Sequence, residues 1–186
     1  MLFRSLLPVY SDGFNASLVA ISDDDGDTWR ASRPIIGLGP IQPSLAKRRD
    51  GTIIAFCRDS GPPPGRVMAS LSRDNGETWS AARDTDIPNP GSSLEVIVLR
   101  DGRWLIVYND STQSRDSLTV AISEDEGKTW PLKRRLEPQS DGATSFSYPS
   151  VIQSADGAVH ITYTCKGPRG GRIRHGILQP GQLKTD

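Results

Sequence analysis

The sequence predicts an all-β protein: a β-propeller of four-stranded antiparallel blades, partial, with about 3.5 blades in the chain. Three observations carry that expectation. The pattern S-x-D-x-G-x-T-W occurs at Ser22–Trp29, Ser72–Trp79 and Ser123–Trp130, spaced by 50 and then 51 residues. An Asp-Gly pair recurs at Asp50-Gly51, Asp101-Gly102 and Asp156-Gly157, spaced by 51 and then 55. Apolar-rich runs of strand length flank these markers.

The elements follow in chain order. The first unit, residues 1–33, holds part of a second strand at Leu6–Tyr10, a third at Ser17–Ser22 and a fourth at Thr28–Ala31. The second unit, 34–86, is complete: Pro43–Arg49, Thr52–Arg58, Arg66–Ser72 and Thr78–Arg83. The third, 87–138, repeats it as Leu94–Arg100, Arg103–Asn109, Ser117–Ser123 and Thr129–Leu136. The last, 139–186, has Pro149–Ala155, Ala158–Thr164 and Arg172–Leu178, with no fourth box. The expected total is 14 strands in a single domain.

The boxes have a structural logic. A tight hairpin between third and fourth strands needs glycine at positive φ, which Gly26, Gly76 and Gly127 supply. Asp24, Asp74 and Asp125 can accept backbone N–H bonds inside the turn. Trp29, Trp79 and Trp130 are expected to open the fourth strand, with the ring in the blade and the N–H on a carbonyl. Calcium binding by Asp23, Asp24, Asp25 and Asp27 is the competing reading, but the other boxes lack that acid density. We expect no metal and no cofactor.

Composition removes several function classes. The 186 residues carry 22 Lys+Arg and 22 Asp+Glu, so there is no basic surplus for a nucleic-acid backbone. No apolar run reaches the roughly 18 residues of a membrane span. Gly (18) and Pro (14) are frequent enough to favour turns over long helices. Cys57 and Cys165 end apolar runs and read as buried free thiols. Met1–Pro8 shows no signal peptide, the start is abrupt, and the compartment stays open.

Antiparallel alternation sorts the connections onto two ends of the blades. One end carries the short Asp-Gly turns and the boxes. The other carries longer, dissimilar loops: Gly37–Gln42, Gly61–Gly65, Pro88–Ser93, Asn109–Asp116 and Gln139–Ser147. Variable loops on a rigid scaffold are where binding residues sit. That end presents Gln42, Arg58, Asp59, Asn109, Asp110, Arg115 and Tyr148. Arginine forks suit a carboxylate, so the expected partner is a small acidic carbohydrate.

The boxes resemble the Asp-box, or bacterial neuraminidase repeat, of sialidases. A sharper resemblance, to the predicted-neuraminidase branch, rests on Ile41-Gln42-Pro43-Ser44-Leu45, Pro88-Asn89-Pro90-Gly91-Ser92-Ser93, Val107-Tyr108-Asn109, Tyr148-Pro149-Ser150 and His160–Thr164. The resemblance implies a six-bladed propeller, an arginine triad on the substrate carboxylate, a tyrosine nucleophile helped by a glutamate, and an aspartate acid/base. Arg58 then resembles the second arginine, Arg115 the third and Tyr148 the nucleophile. Asp59, Asn109 and Asp110 join them as candidate substrate contacts. Gln42 stands where such a family has its glutamate.

Two departures follow. An amide at Gln42 cannot take a proton from Tyr148, and a phenol without a base is a poor nucleophile at neutral pH. The first arginine and the aspartate acid/base belong to N-terminal blades that the chain does not contain. The expectation is therefore a sialidase-like exo-glycosidase fragment, inactive alone. The alternatives are a non-catalytic carbohydrate-binding propeller, or a glycosidase or lyase for another uronic or deoxy sugar. An open stack of blades leaves strand edges exposed, so a second chain completing the ring is a further expectation. Competing structural roles are loop salt bridges for Arg58 and Arg115 with Asp59, Asp110 or Asp116, and packing for Tyr148 and His160.

Overall fold

Short apolar runs separated by Gly- and Asp-bearing turns leave the chain one economical way to bury its faces: small sheets stacked against one another. A computed structural model describes residues 3–137, 140 and 142–179. Among these there is no helix, and fourteen strands form four sheets. The first sheet has β1 (Ser5–Ser11), β2 (Ala16–Ser22) and β3 (Arg30–Ala31). The second has β4 (Pro40–Lys47), β5 (Ile53–Asp59), β6 (Arg66–Ser72) and β7 (Arg83–Pro88). The third has β8 (Glu95–Val98), β9 (Trp104–Tyr108), β10 (Leu118–Ser123) and β11 (Leu132–Glu137). The fourth has β12 (Ser145–Gln153), β13 (Val159–Gly167) and β14 (Gly170–Leu178).

Within each sheet the strands lie in sequence order and all pairs are antiparallel. β4 lies against β8 and β8 against β12, so the first strands of successive sheets form the inner wall of a partial propeller. The expected unit ends at residues 1, 138, 139 and 186 fall outside the described residues, as do Met1, Leu2, Gln139 and Asp141.

Three details differ from the sequence expectation. The tryptophans do not open the fourth strands; β7 starts at Arg83 and β11 at Leu132, after the box turn has closed. The inner strands of the second and fourth sheets do not begin at Pro43 and Pro149 but at Pro40 and Ser145. β4 and β12 run through Pro43 and Pro149, because a bulge takes each proline out of the ladder. Arg169-Gly170-Gly171 is not wholly a loop tip: Gly170 pairs with Gly167, so Pro168 and Arg169 alone form the turn.

The cores lie between sheets. Ile54, Phe56, Trp104, Ile106 and Tyr108 pack between the second and third sheets. Val107, Val120, Phe146, Ile161 and Tyr163 pack between the third and fourth. The Phe56 ring meets Trp104 and Trp130 edge-on, with centroids 6.3 and 6.2 Å apart. Trp79 also packs into a core, whereas Trp29, on the outer flank of the first sheet, is 48% exposed. Large apolar side chains stand exposed in both outer sheets, Phe3, Leu7 and Phe14 at the first and Ile152, Ile173 and Ile177 at the fourth.

The three boxes fold alike. Each serine hydroxyl donates to the box aspartate and accepts the glycine N–H: Ser72 to Asp74 at 2.8 Å, Gly76 N–H to Ser72 at 2.8 Å. The same aspartate takes the threonine N–H and O–H, as Asp24 does from Thr28 at 2.9 and 2.5 Å. Gly76 has φ 91°, which only glycine adopts without strain. Trp29 and Trp79 donate Nε1–H to the Gly26 and Gly76 carbonyls at 3.0 and 3.1 Å, while the buried Trp130 N–H finds no partner among the described residues. Asp23 does not stand ready for a cation: Arg4 and Arg30 hold it at 2.6 and 3.1 Å.

Candidate functional site

Two residues of the loop-bearing end are held in a backbone conformation that their side chains disfavour. On β4, Gln42 and Pro43 together face Cys57 of β5, because Ile41 pairs Arg58 and Ser44 pairs Phe56. On β12, Tyr148 and Pro149 together face Tyr163, because Ser147 pairs Thr164 and Ser150 pairs Thr162. Gln42 has φ 52° and Tyr148 φ 53°. Positive φ at a non-glycine residue costs about 1–3 kcal/mol and concentrates at functional positions. The bulge re-aims both side chains at the inner edge of their sheets.

The second strands bring up a matching row. Counting five residues from the partner of each box serine (Ser5, Ile53 and Trp104) reaches Tyr10, Arg58 and Asn109. Three equivalent places thus carry a phenol, a guanidinium and an amide. Arg58 Nη1 donates to Gln42 Oε1 at 3.4 Å, and Gln42 Nε2 donates to Tyr10 Oη at 3.0 Å. The Arg58 Nε–H is buried without a partner, and Arg58 forms no ion pair among the described residues. A guanidinium so weakly satisfied inside a fold keeps donors free for an acceptor.

Asp59, beside it, is buried and occupied: its carboxylate accepts from the Gly61 and Arg66 N–H groups at 2.7 and 3.1 Å and shapes the β5–β6 loop. Gly65 in that loop is pressed on the Asn89 carbonyl, and a Cβ there would lie 2.1 Å from it. Asn109 is fully buried. It accepts from Ser92 Oγ at 2.5 Å and donates to the Ser117 and Phe146 carbonyls at 2.6 and 3.2 Å. Asp110 pairs with Lys133 at 3.0 Å, and burial together with the Asp110 charge pushes the Tyr108 phenol well above its usual range.

Arg115 donates from Nη2 to the Gly91 carbonyl at 2.5 Å, and it too forms no ion pair among the described residues. Gly91 sits against the end of β5, with the Asp59 carbonyl 3.5 Å from where its Cβ would be. The 88–93 loop therefore lies between Arg115 and the end of the Arg58 strand. Its Ser93, which matches Gln42 and Tyr148 in the third sheet, accepts the Tyr148 N–H at 3.0 Å. Tyr148 is 54% exposed. Gln42, Arg58, Arg115 and Tyr148 thus stand at one end of the sheets, joined through loop backbone; among the described residues no side-chain hydrogen bond links Arg58, Arg115 and Tyr148 to each other.

A model of the BNR repeat-like domain matches residues 4–161. The chain belongs to the BNR repeat-like domain family. This BNR-repeat protein is similar to a sialidase of Micromonospora viridifaciens, with 30% identity over 152 residues, 76% of this chain and 22% of that protein. It is similar to a sialidase of Paraclostridium sordellii, with 25% identity over 180 residues, 84% of this chain and 43% of that protein. The chain therefore spans less than half the length of these curated relatives. In fold it matches the crystal structure of the intramolecular trans-sialidase from Ruminococcus gnavus in complex with oseltamivir carboxylate. The TM-score is 0.78 and the identity 19%, covering 98% of this chain and 42% of that one. These likenesses place the BNR-repeat chain in the sialidase superfamily and give it the sialidase-like propeller fold.

Two residues of the end wall escaped the sequence reading. Tyr10 bonds Gln42, and only the register shows that it is the equivalent of Arg58. Glu95, on the inner strand β8, accepts from Ser44 Oγ at 3.2 Å; burial pushes its carboxyl up and outweighs that bond. A lone acid within the Leu94–Val98 run was its signal.

Proposed function

We propose that this chain carries the acidic-sugar recognition part of a sialidase-like exo-glycosidase site and does not turn the sugar over alone. One observation carries the reading: Arg58 is a partly buried guanidinium with an orphan Nε–H and no carboxylate partner among the described residues. Arg115, equally without a carboxylate, offers a second fork across the 88–93 loop. A terminal sugar bearing a carboxylate, sialic acid-like, supplies the missing charge. Tyr148, half exposed on its bulge, is the candidate nucleophile.

Gln42 favours a second reading, a non-catalytic carbohydrate-binding propeller. Its amide is engaged on both sides and holds no lone pair that can remove the Tyr148 proton. A fluorogenic sialoside assay, run beside a titration with N-acetylneuraminic acid, tests both. The proposal expects saturable binding abolished by Arg58→Ala and no appreciable turnover. Turnover abolished by Tyr148→Phe would contradict the inactive reading, and binding indifferent to Arg58→Ala would contradict the site. Stronger binding of a uronic acid would move the substrate class instead.

A further inference from the structure

We propose that Tyr10 is a ligand-contacting residue of this site, donating its phenolic O–H to a hydroxyl or carbonyl oxygen of the bound acidic sugar. The inference rests on the acidic-sugar reading above and deepens it.

The direction of each hydrogen bond follows from chemistry. A guanidinium has donors and no acceptor, so the Gln42 atom 3.4 Å from Arg58 Nη1 must be the carbonyl oxygen. The Gln42 amide nitrogen then faces Tyr10 Oη, at 3.0 Å, and donates to it. The Tyr10 oxygen is spent as an acceptor toward Gln42, so its own hydrogen points elsewhere. Among the described residues that phenol has no other hydrogen-bond partner, and Tyr10 is 45% exposed. A directed donor on the wall beside an unneutralised guanidinium suits a ligand with an acceptor next to its carboxylate.

The position agrees. Tyr10 is next to last in β1 as Arg58 is in β5, and β1 lies against β4, which carries Gln42. Gln42 is therefore flanked by two equivalent places on neighbouring sheets, one charged for the carboxylate and one neutral for a sugar oxygen. A lost hydrogen bond to a neutral ligand oxygen costs about 1.4 kcal/mol, or tenfold in affinity.

The test titrates the full chain and Tyr10→Phe, by amide and arginine Nε–H spectra, with two probes. N-acetylneuraminic acid carries both a carboxylate and ring oxygens; cyclohexanecarboxylate carries the carboxylate alone. The expected result is about tenfold weaker binding of the sugar by Tyr10→Phe, with the affinity for cyclohexanecarboxylate changed less than about twofold. Equal losses for both probes, or no loss for the sugar, overturn the Tyr10 assignment while wild-type binding leaves the acidic-sugar reading standing. Failure of wild type to bind the sugar overturns that reading and this inference with it. The amide spectrum of Tyr10→Phe, expected to match wild type away from residues 10, 42 and 58, separates a lost contact from a lost fold.

Discussion

Gln42 and Tyr148 occupy the same position in two different blades: each precedes a proline, each begins an inner-strand bulge, and their φ angles are 52° and 53°. The matching residue of the blade between them, Ser93, hydrogen-bonds the Tyr148 backbone N–H at 3.0 Å. Three equivalent positions are thus given different jobs, two side chains presented at the wall and one hydroxyl that fastens the neighbouring blade.

That strain is measurable. Tyr148 is half exposed, so truncating it forfeits little packing, and glycine alone relaxes the left-handed backbone. Tyr148→Gly is expected to be about 1 kcal/mol more stable than Tyr148→Ala in urea unfolding, reversing the usual strand ranking. The ordinary order, alanine above glycine, would show that the bulge is unstrained.

Gln42 leaves the Arg58 charge uncompensated. Gln42→Glu places a carboxylate at that distance and satisfies the guanidinium internally. The affinity for N-acetylneuraminic acid at pH 7 is expected to fall about tenfold, equivalent to about 1.4 kcal/mol. Unchanged or tighter binding would mean that Arg58 is not the carboxylate receptor.

The box aspartates make the fold acid-sensitive. Thr28 and Thr78 hydroxyls, first among several bonds, hold Asp24 and Asp74 at about 2. Burial pushes Asp125 the other way, but bonds from Thr129 and Ser123 prevail and hold it at about 2 as well. A carboxyl depressed in the fold stabilises it fully above the ordinary value of 3.8, and that stability drains as pH falls toward 2. Tm is expected to drop across this window, and less steeply in Thr78→Ala. A Tm flat from about pH 5 to 2 would contradict the turn geometry.

Glu95 has the opposite sign. Burial raises its carboxyl despite the Ser44 bond, so it favours the fold when protonated and weighs against it as pH rises through the folded value. Glu95→Gln is expected to melt higher than wild type at pH 7, with the difference closing in acid. A lower Tm at pH 7 would show that the ionised carboxylate has a partner that stabilises it.

Asn109 is a structural staple beside the site. Asn109→Ala leaves the Ser92 hydroxyl and the Ser117 and Phe146 carbonyls to find other partners in a buried place. A loss of about 2–4 kcal/mol in unfolding free energy is expected. A loss below about 0.5 kcal/mol would contradict its role.

Much of this was legible in the sequence because the repeated features are local. The box Ser, Asp, Gly and Thr bond one another within eight residues, so their spacing reveals the turn without the rest of the fold. The strand number followed from the same period, 14 expected and 14 formed among the described residues. What escaped is non-local. The starts of β4 and β12 were hidden because a proline that normally stops a strand is tolerated where a bulge takes it out of pairing. The Tyr10–Gln42–Arg58 chain joins two sheets, and no periodicity announces it. In the sequence Asp59 reads as a candidate substrate contact, and only its N–H partners Gly61 and Arg66 show that its carboxylate is already occupied.

The most direct test of the account is a crystal structure of the full chain soaked with N-acetylneuraminic acid. The carboxylate is expected within hydrogen-bond reach of both Arg58 and Arg115, with the sugar ring between Gln42 and Tyr148. A carboxylate held elsewhere, such as at Lys133 in place of Asp110, would contradict that site.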